Sequence, residues 1–288
     1  MDRIKHVKEF LSGENVEVET IKLGYSTIDN LILGVRRKEI ALFASLPGVG
    51  KTAMLLNLAI NMANSENPVL FITYETTARK ITEKFLGIIA GIDPSVIEKD
   101  NMLEKLKQRG DSATQTDDYL SRLSEAVKTL SNLPVYISEQ FMFKPDILKG
   151  EIEEIKGAHI KAIFIDSLQF VQYSTQKNAK ERDIENIMLF KNFARENDIS
   201  ILISSQIRSK DIPQGKAPTL GDMGGEEELA DMVFILHRPY AYSMDQYVGD
   251  TEEFVIQLAK NRNGPSGVFK LMFSRRTLRI EERKFESF

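Results

Sequence analysis

Between Glu39 and Ile60 the chain reads EIALFASLPGVGKTAMLLNLAI, and no other stretch constrains the fold as tightly. An apolar run long enough for one buried strand meets a turn containing Pro47, Gly48 and Gly50. Lys51 and Thr52 then open an amphipathic helix. Strand, glycine turn and helix start, in that order, make a phosphate-binding loop. Gly48 and Gly50 let backbone N–H groups approach an anion closely, and the helix N-terminus adds its partial positive charge. Lys51 can reach β- and γ-phosphates, and the Thr52 hydroxyl can ligate Mg²⁺. The candidate nucleotide-contacting residues are therefore Ser45, Pro47, Gly48, Val49, Gly50, Lys51, Thr52 and Ala53, with Ser45 standing where the pattern usually has its first glycine.

A loop of this kind needs a parallel sheet behind it, and the remaining sequence supplies one. Short apolar runs with little alternation (EIALFA, VLFITY, VYIS, AIFID, ISILIS and MVFIL) read as strands buried on both faces. Helical patterns near 50–64, 77–91, 114–132, 145–156 and 180–196 fall between them. After Met232 the pattern becomes strand after strand, EFVIQLAK, GVFKLMF and LRIEE, which predicts antiparallel hairpins finishing the sheet. The expected fold is α/β, a mostly parallel central sheet flanked by helices, with one core. Residues 109–118 and 209–225 read as polar loops, the second long enough to suspect a function. Residues 1–20 read as a separate amphipathic linker, with Ile4, Val7, Phe10 and Leu11 on one helical face, ahead of a domain over 21–288. That helix can pack on its own domain or dock on a neighbouring subunit.

Composition removes several classes of chemistry. The chain has no cysteine, so a disulfide framework, a thiolate zinc site and a cysteine nucleophile are excluded. His6, His159 and His237 make no metal-ligand spacing. No long apolar run and no secretory signal occur, which predicts a cytoplasmic protein without a membrane partner. Net charge is −4, so any nucleic-acid contact must be local. The basic residues Lys260, Arg262, Lys270, Arg275, Arg276, Arg279, Arg283 and Lys284 face only Glu281 and Glu282 in the same stretch. They read either as a solvated strand face or as a surface for an anionic partner.

Further polar residues end the other predicted strands. Asp166 closes KAIFID, where it is either a simple turn residue or the carboxylate behind a metal, and the phosphate loop favours the metal. Glu75 follows VLFITY at the carboxyl end of its strand, where ligands gather in open α/β sheets. It can polarise an attacking water or serve as a first-turn glutamate. Ser204, Ser205 and Gln206 end the ISILIS strand, and Gln206 suits sensing of a γ-phosphate. Lys260 and Arg262, two apart beside the turn Asn263-Gly264-Pro265-Ser266-Gly267, project from one face of a hairpin. They are either a cation pair offered to phosphates of a neighbouring subunit or surface charges flanking a turn.

Taken in order, these segments resemble the C-terminal RecA-like ATPase domain of DnaB-type replicative DNA helicases, from about Gly24 to about Phe273. LGYSTIDNL looks like the family's opening segment, SLPGVGKTA its nucleotide loop and VLFITYE its strand with the catalytic glutamate. IDSLQF is similar to its Asp-x-Leu-Gln segment and SSQIR to its glutamine sensor. KNRNGPSG resembles its finger hairpin and is the most specific of these matches, since RadA and KaiC relatives share the earlier ones. The resemblance implies ATP and Mg²⁺ as ligands, with Lys51 and Thr52 on phosphate and metal and Asp166 behind the metal. Glu75 would activate water, Gln206 would act as sensor, and Lys260 and Arg262 would act in trans. It also implies a hexameric ring around single-stranded DNA, and primase or a helicase loader as partners. The second DNA loop departs from the family's pattern: GDMGGEEELAD lacks the Arg-Glu-Ser-Gly arginine. Candidate DNA contacts are Arg208, Lys210, Lys216 and the backbone amides of Gly224 and Gly225. A filament-forming recombinase-like ATPase and a non-unwinding assembly factor are the competing readings.

Overall fold

The computed structural model describes residues 19–97, 113–140, 142–155, 158–171, 178–208, 212–213, 215–241 and 249–283. The expected linker helix over residues 1–20, apart from its last two residues, and Lys210 lie outside them. A two-stranded antiparallel ribbon, β1 (Thr20–Ile21) and β2 (Val35–Arg36), encloses helix α1 (Ser26–Ile32). The main sheet follows: β3 (Ile40–Ser45), β4 (Val69–Thr73), β5 (Val135–Glu139), β6 (Ala162–Asp166), β7 (Ser200–Gln206), β8 (Met232–His237), β9 (Thr251–Asn261), β10 (Gly267–Ser274) and β11 (Ile280–Glu282). Their order across the sheet is β11-β10-β9-β8-β3-β7-β6-β4-β5. From β5 to β8 every neighbour is parallel, and from β8 to β11 every neighbour is antiparallel.

Residue choice follows from which faces are covered. Along β3, Ala41 and Phe43 enter one apolar core while Ile40, Leu42 and Ala44 enter the other, the two-residue alternation of a strand sandwiched on both sides. On the first face pack α2 (Lys51–Asn64) and α3 (Ala78–Ala90), against stacked rings of Phe43 with Phe234 and Phe71 with Phe164. On the second lie α6 (Pro145–Glu154) and α7 (Ala179–Asn197), with Phe143 against Phe190. Helices α4 (Pro94–Ile97) and α5 (Ala113–Asn132) pack on α3. In β10, Val268 and Lys270 are exposed while Phe269, Leu271 and Phe273 are buried, so here one face of the sheet meets water.

The strand and helix expectations hold with boundaries moved by one or two residues. The helix expected near 114–132 is α5, so the overlapping end of the stretch read as a polar loop, residues 114–118, is helical. The ribbon β1–β2, α1 and α4 are short and carry little periodicity, which is why the pattern does not announce them. None of the described helices is long and apolar enough to cross a membrane.

Candidate functional site

The carboxyl ends of β3, β4, β6, β7 and β8 converge on one edge of the sheet, where parallel strands leave their ligand crevice. A cavity of about 570 Å³ opens there, lined among others by Gly48, Lys51, Thr52, Glu75, Asp166 and Gln206. Gly50 caps α2 at φ 115°, a conformation that favours glycine, and turns the loop into the helix. A Cβ placed on Gly48 would meet nothing within 4 Å, so its backbone faces the open cavity. Pro47 and Ala53 complete the loop's lining. Ser45 and Val49, also expected there, are not among the lining residues. Ser45 is buried at the end of β3 with its hydroxyl given to Leu46 O, and Val49 is turned into the core.

Asp166 receives two hydroxyls: Thr52 Oγ1 at 2.8 Å on Oδ2 and Ser204 Oγ at 2.7 Å on Oδ1. Ser204 thus fixes the carboxylate from the neighbouring strand, while Thr52 and Asp166 face the cavity side by side. That pair of hard oxygen donors fits Mg²⁺ beside a phosphate. Lys51 Nζ lies 3.4 Å from Ser45 Oγ and from Leu46 O, folded back over its own strand. Burial lowers its pKa, and the Asp166 and Glu75 carboxylates work against that shift. An incoming phosphate would do the same and draw the ammonium outward.

Glu75 is exposed just beyond β4, where it borders the main cavity and an adjoining one of about 410 Å³ that Thr52, Lys84 and Asp166 also line. Gln206 closes β7 and borders both the nucleotide cavity and a third space of about 260 Å³, lined in part by Arg208, Asp183, Gly224 and Glu226. Five of the expected residues, Lys51, Thr52, Glu75, Asp166 and Gln206, are therefore brought together.

Lys260 and Arg262 lie elsewhere. Lys260 pairs with Val233 near the start of β8, and the Arg262 amide bonds Asp231 O, next to Ile40 at the root of β3. The length of β3, roughly 16 Å at the usual rise per strand residue, separates them from the loop on their own chain.

Cavity residues that the sequence did not point to include Lys84, Arg238, Arg275 and Phe273. Arg238 follows β8 directly, at a strand's carboxyl end, which was the available signal. Its guanidinium donates to Gly48 O, stacks 4.7 Å from the Phe273 ring centroid, and pairs with the buried Glu252 at 2.8 Å. Arg275 binds the same carboxylate at 2.6 Å. One buried acid just ahead of a predicted strand gave no hint of this cluster. The other described basic residues of that stretch are dispersed rather than one patch: Arg279 donates to Ile88 O and Ile89 O, Arg276 to the Tyr119 hydroxyl, and Lys270 to Glu253, while Lys284 lies outside the described residues.

Of the expected DNA-contacting residues, Arg208 follows Gln206 at the carboxyl end of β7 and lines the third space together with Gly224. Arg208 pairs with Asp183 of α7 at 3.0 Å; burial raises the Asp183 carboxyl to about 6 although Arg208 and Arg182 pull it down. Lys216 is exposed. The Gly225 amide already donates to Glu227 Oε2 at 2.8 Å, and Glu226 Oε2 lies against Gly224. A phosphate reaching the Gly225 amide must displace the Glu227 carboxylate, and one approaching Gly224 meets Glu226, so the geometry disfavours this turn as an anion site.

A family model, the DnaB-like helicase C terminal domain, matches residues 20–282. The chain belongs to this family. Curated relatives carry the family's name in full: the replicative DNA helicase DnaB of Geobacillus stearothermophilus is 28% identical over 273 residues, covering 92% of this chain and 57% of that protein. The replicative DNA helicase DnaC of Bacillus subtilis is 27% identical, covering 92% of this chain and 57% of its own length. The chain thus spans a little over half of these family members. Solved structures agree on the fold. One described as a DnaB-like replicative helicase and its interactions with primase superposes with a TM-score of 0.78 at 22% identity, covering 96% of this chain and 67% of that one. Another, described as an ATPase domain, gives 0.78 at 22% identity and covers 96% of both chains.

Proposed function

We propose that this chain is the ATP-driven motor of a replicative DNA helicase, hydrolysing Mg²⁺-ATP at a site completed by a second copy of itself. The observation that carries this reading is the separation of the two halves of the machinery. Lys51, Thr52, Glu75, Asp166 and Gln206 gather at one edge of the sheet, and the Lys260/Arg262 pair stands at the opposite edge. A cation pair so placed cannot serve its own loop and can serve the loop of a neighbour. Repeated head to tail, such an interface builds either a closed ring or an open filament, and the family resemblance supports a ring of six copies.

Within each site the loop amides and Lys51 would hold the phosphates. Thr52 and Asp166 would hold Mg²⁺, which would neutralise phosphate charge. Glu75 takes the proton of the attacking water, and Arg262 with Lys260 stabilises the charge building on the transferred phosphoryl group. Gln206, placed between this cavity and the Arg208 side, links hydrolysis to strand movement. Single-stranded DNA is the track, contacted locally through Arg208, Lys210 and Lys216, and primase or a loader fits as partner. The linker read over residues 1–20 would end where β1 begins at Thr20.

Strand separation of a forked DNA substrate tests the proposal. Unwinding should require ATP and vanish with a non-hydrolysable analogue. Nucleotide binding with no unwinding at any protein concentration would assign the chain to an assembly role, and filaments in place of closed rings would assign it to a recombinase-like one.

A further inference from the structure

The finger pair is held at its root by a carboxylate that the nucleotide chemistry does not use. Asp231, buried immediately before β8, accepts from three segments: Ile40 N at the start of β3 (3.0 Å to Oδ2), Lys191 Nζ of α7 (2.9 Å to Oδ1) and Arg262 Nη1 in the turn directly after β9 (3.2 Å to Oδ1). The remaining cationic donors are met by carbonyls of the turn that leads into Asp231. Lys191 reaches Leu229 O at 2.7 Å, Lys260 reaches Glu227 O and Glu228 O at 2.8 and 2.9 Å, and Arg262 Nη2 reaches Glu228 O at 2.8 Å. Three cations therefore share one buried carboxylate and one turn. Burial, with Arg262 beside it, holds Lys260 below the ordinary lysine range.

The same turn is fastened to the nucleotide side. Ser205, one residue before Gln206, donates to Glu226 at 3.0 Å. Arg262 gives inward only part of its donor fork, and its side chain keeps 44% exposure, so the outer edge of the guanidinium still faces away from the chain. An arginine acting across an interface must be placed to within a fraction of an ångström, because its contribution comes from alignment with the developing charge. A rotatable side chain on an exposed hairpin does not achieve that alone; an ion pair to a buried, thrice-bonded carboxylate does.

We propose that Asp231 is the positioning residue of the finger, clamping Arg262 to the root of the strand whose far end carries the phosphate loop. Asp231 is not among the residues lining the cavity and acts through Arg262. The inference rests on the shared site described above. It predicts that Asp231→Asn, which removes the charge and leaves only one acceptor oxygen, lowers kcat at least tenfold while KM for ATP changes less than twofold.

Mixed assemblies separate this role from a general loss of structure. Asp231→Asn subunits keep a sound phosphate loop and a misplaced finger, whereas Lys51→Ala subunits keep a sound finger and a dead loop. Mixing the two should restore turnover, as mixing Arg262→Ala with Lys51→Ala should. Mixing Asp231→Asn with Arg262→Ala should restore none, because both defects fall on the finger. If Asp231→Asn fails to fold, Asp231→Glu takes its place, keeping the charge but moving it by one methylene. Recovery with the Arg262→Ala mixture but not with the Asp231 one would overturn the positioning role and leave the shared site standing. Failure of both Lys51→Ala mixtures would remove the shared site, and the inference with it.

Discussion

Glu75→Gln is expected to lower ATP turnover by about 10²- to 10⁴-fold, the range for loss of a general base, while nucleotide affinity stays within about twofold. The glutamine keeps the size of the side chain beyond β4 and its place beside Thr52 and Asp166, but it cannot take a proton from water. Binding survives because the groups that would hold phosphate, the loop amides and Lys51, are untouched. Removing the Glu75 charge takes away one of two carboxylates that help keep Lys51 protonated, and Asp166, the larger contributor, remains. Phosphate release under single-turnover conditions, set beside a titration with a fluorescent nucleotide, reads both quantities. Undiminished release would remove Glu75 from the chemistry.

Arg262→Ala carries the largest expected effect, a loss of about 10³- to 10⁵-fold in kcat, as for other arginine fingers. The two candidates for this effect are unequal. Arg262 offers a planar fork of donors that matches phosphate oxygens, whereas Lys260 presents a single ammonium already shared between Glu227 O and Glu228 O. Lys260→Ala should therefore cost less than Arg262→Ala. Nucleotide affinity at the variant's own loop should not change, since the length of β3 intervenes between Arg262 and that loop. A parallel loss of affinity and turnover in isolated protomers would instead mean that Arg262 supports its own fold.

Much of the architecture was legible because burial on both faces leaves an unmistakable pattern. Runs such as VLFIT and AIFID admit no polar residue until the strand ends, so Glu75 and Asp166 marked the carboxyl edge from the sequence alone. The phosphate loop was legible for the same reason, as a glycine turn between an apolar strand and a helix. What the pattern could not carry was contact between segments distant in sequence. Glu252 falls just ahead of the strand read as EFVIQLAK, and only the fold brings Arg238 and Arg275 onto it. Asp231 reads as a residue before a strand, and its three partners come from β3, α7 and the turn after β9. Gly225 looked available to an anion because sequence shows its freedom of φ but not that Glu227 has already taken its amide.

One spatial claim is central: the phosphoryl chemistry of each copy is finished by a cation from the next. Hydrolysis rate per protomer, followed across a dilution series with the assembly mass measured at every point, tests it most directly. The rate should fall with the disappearance of the oligomer and approach zero in the monomer. A monomer that hydrolyses ATP as fast as the assembly would contradict it.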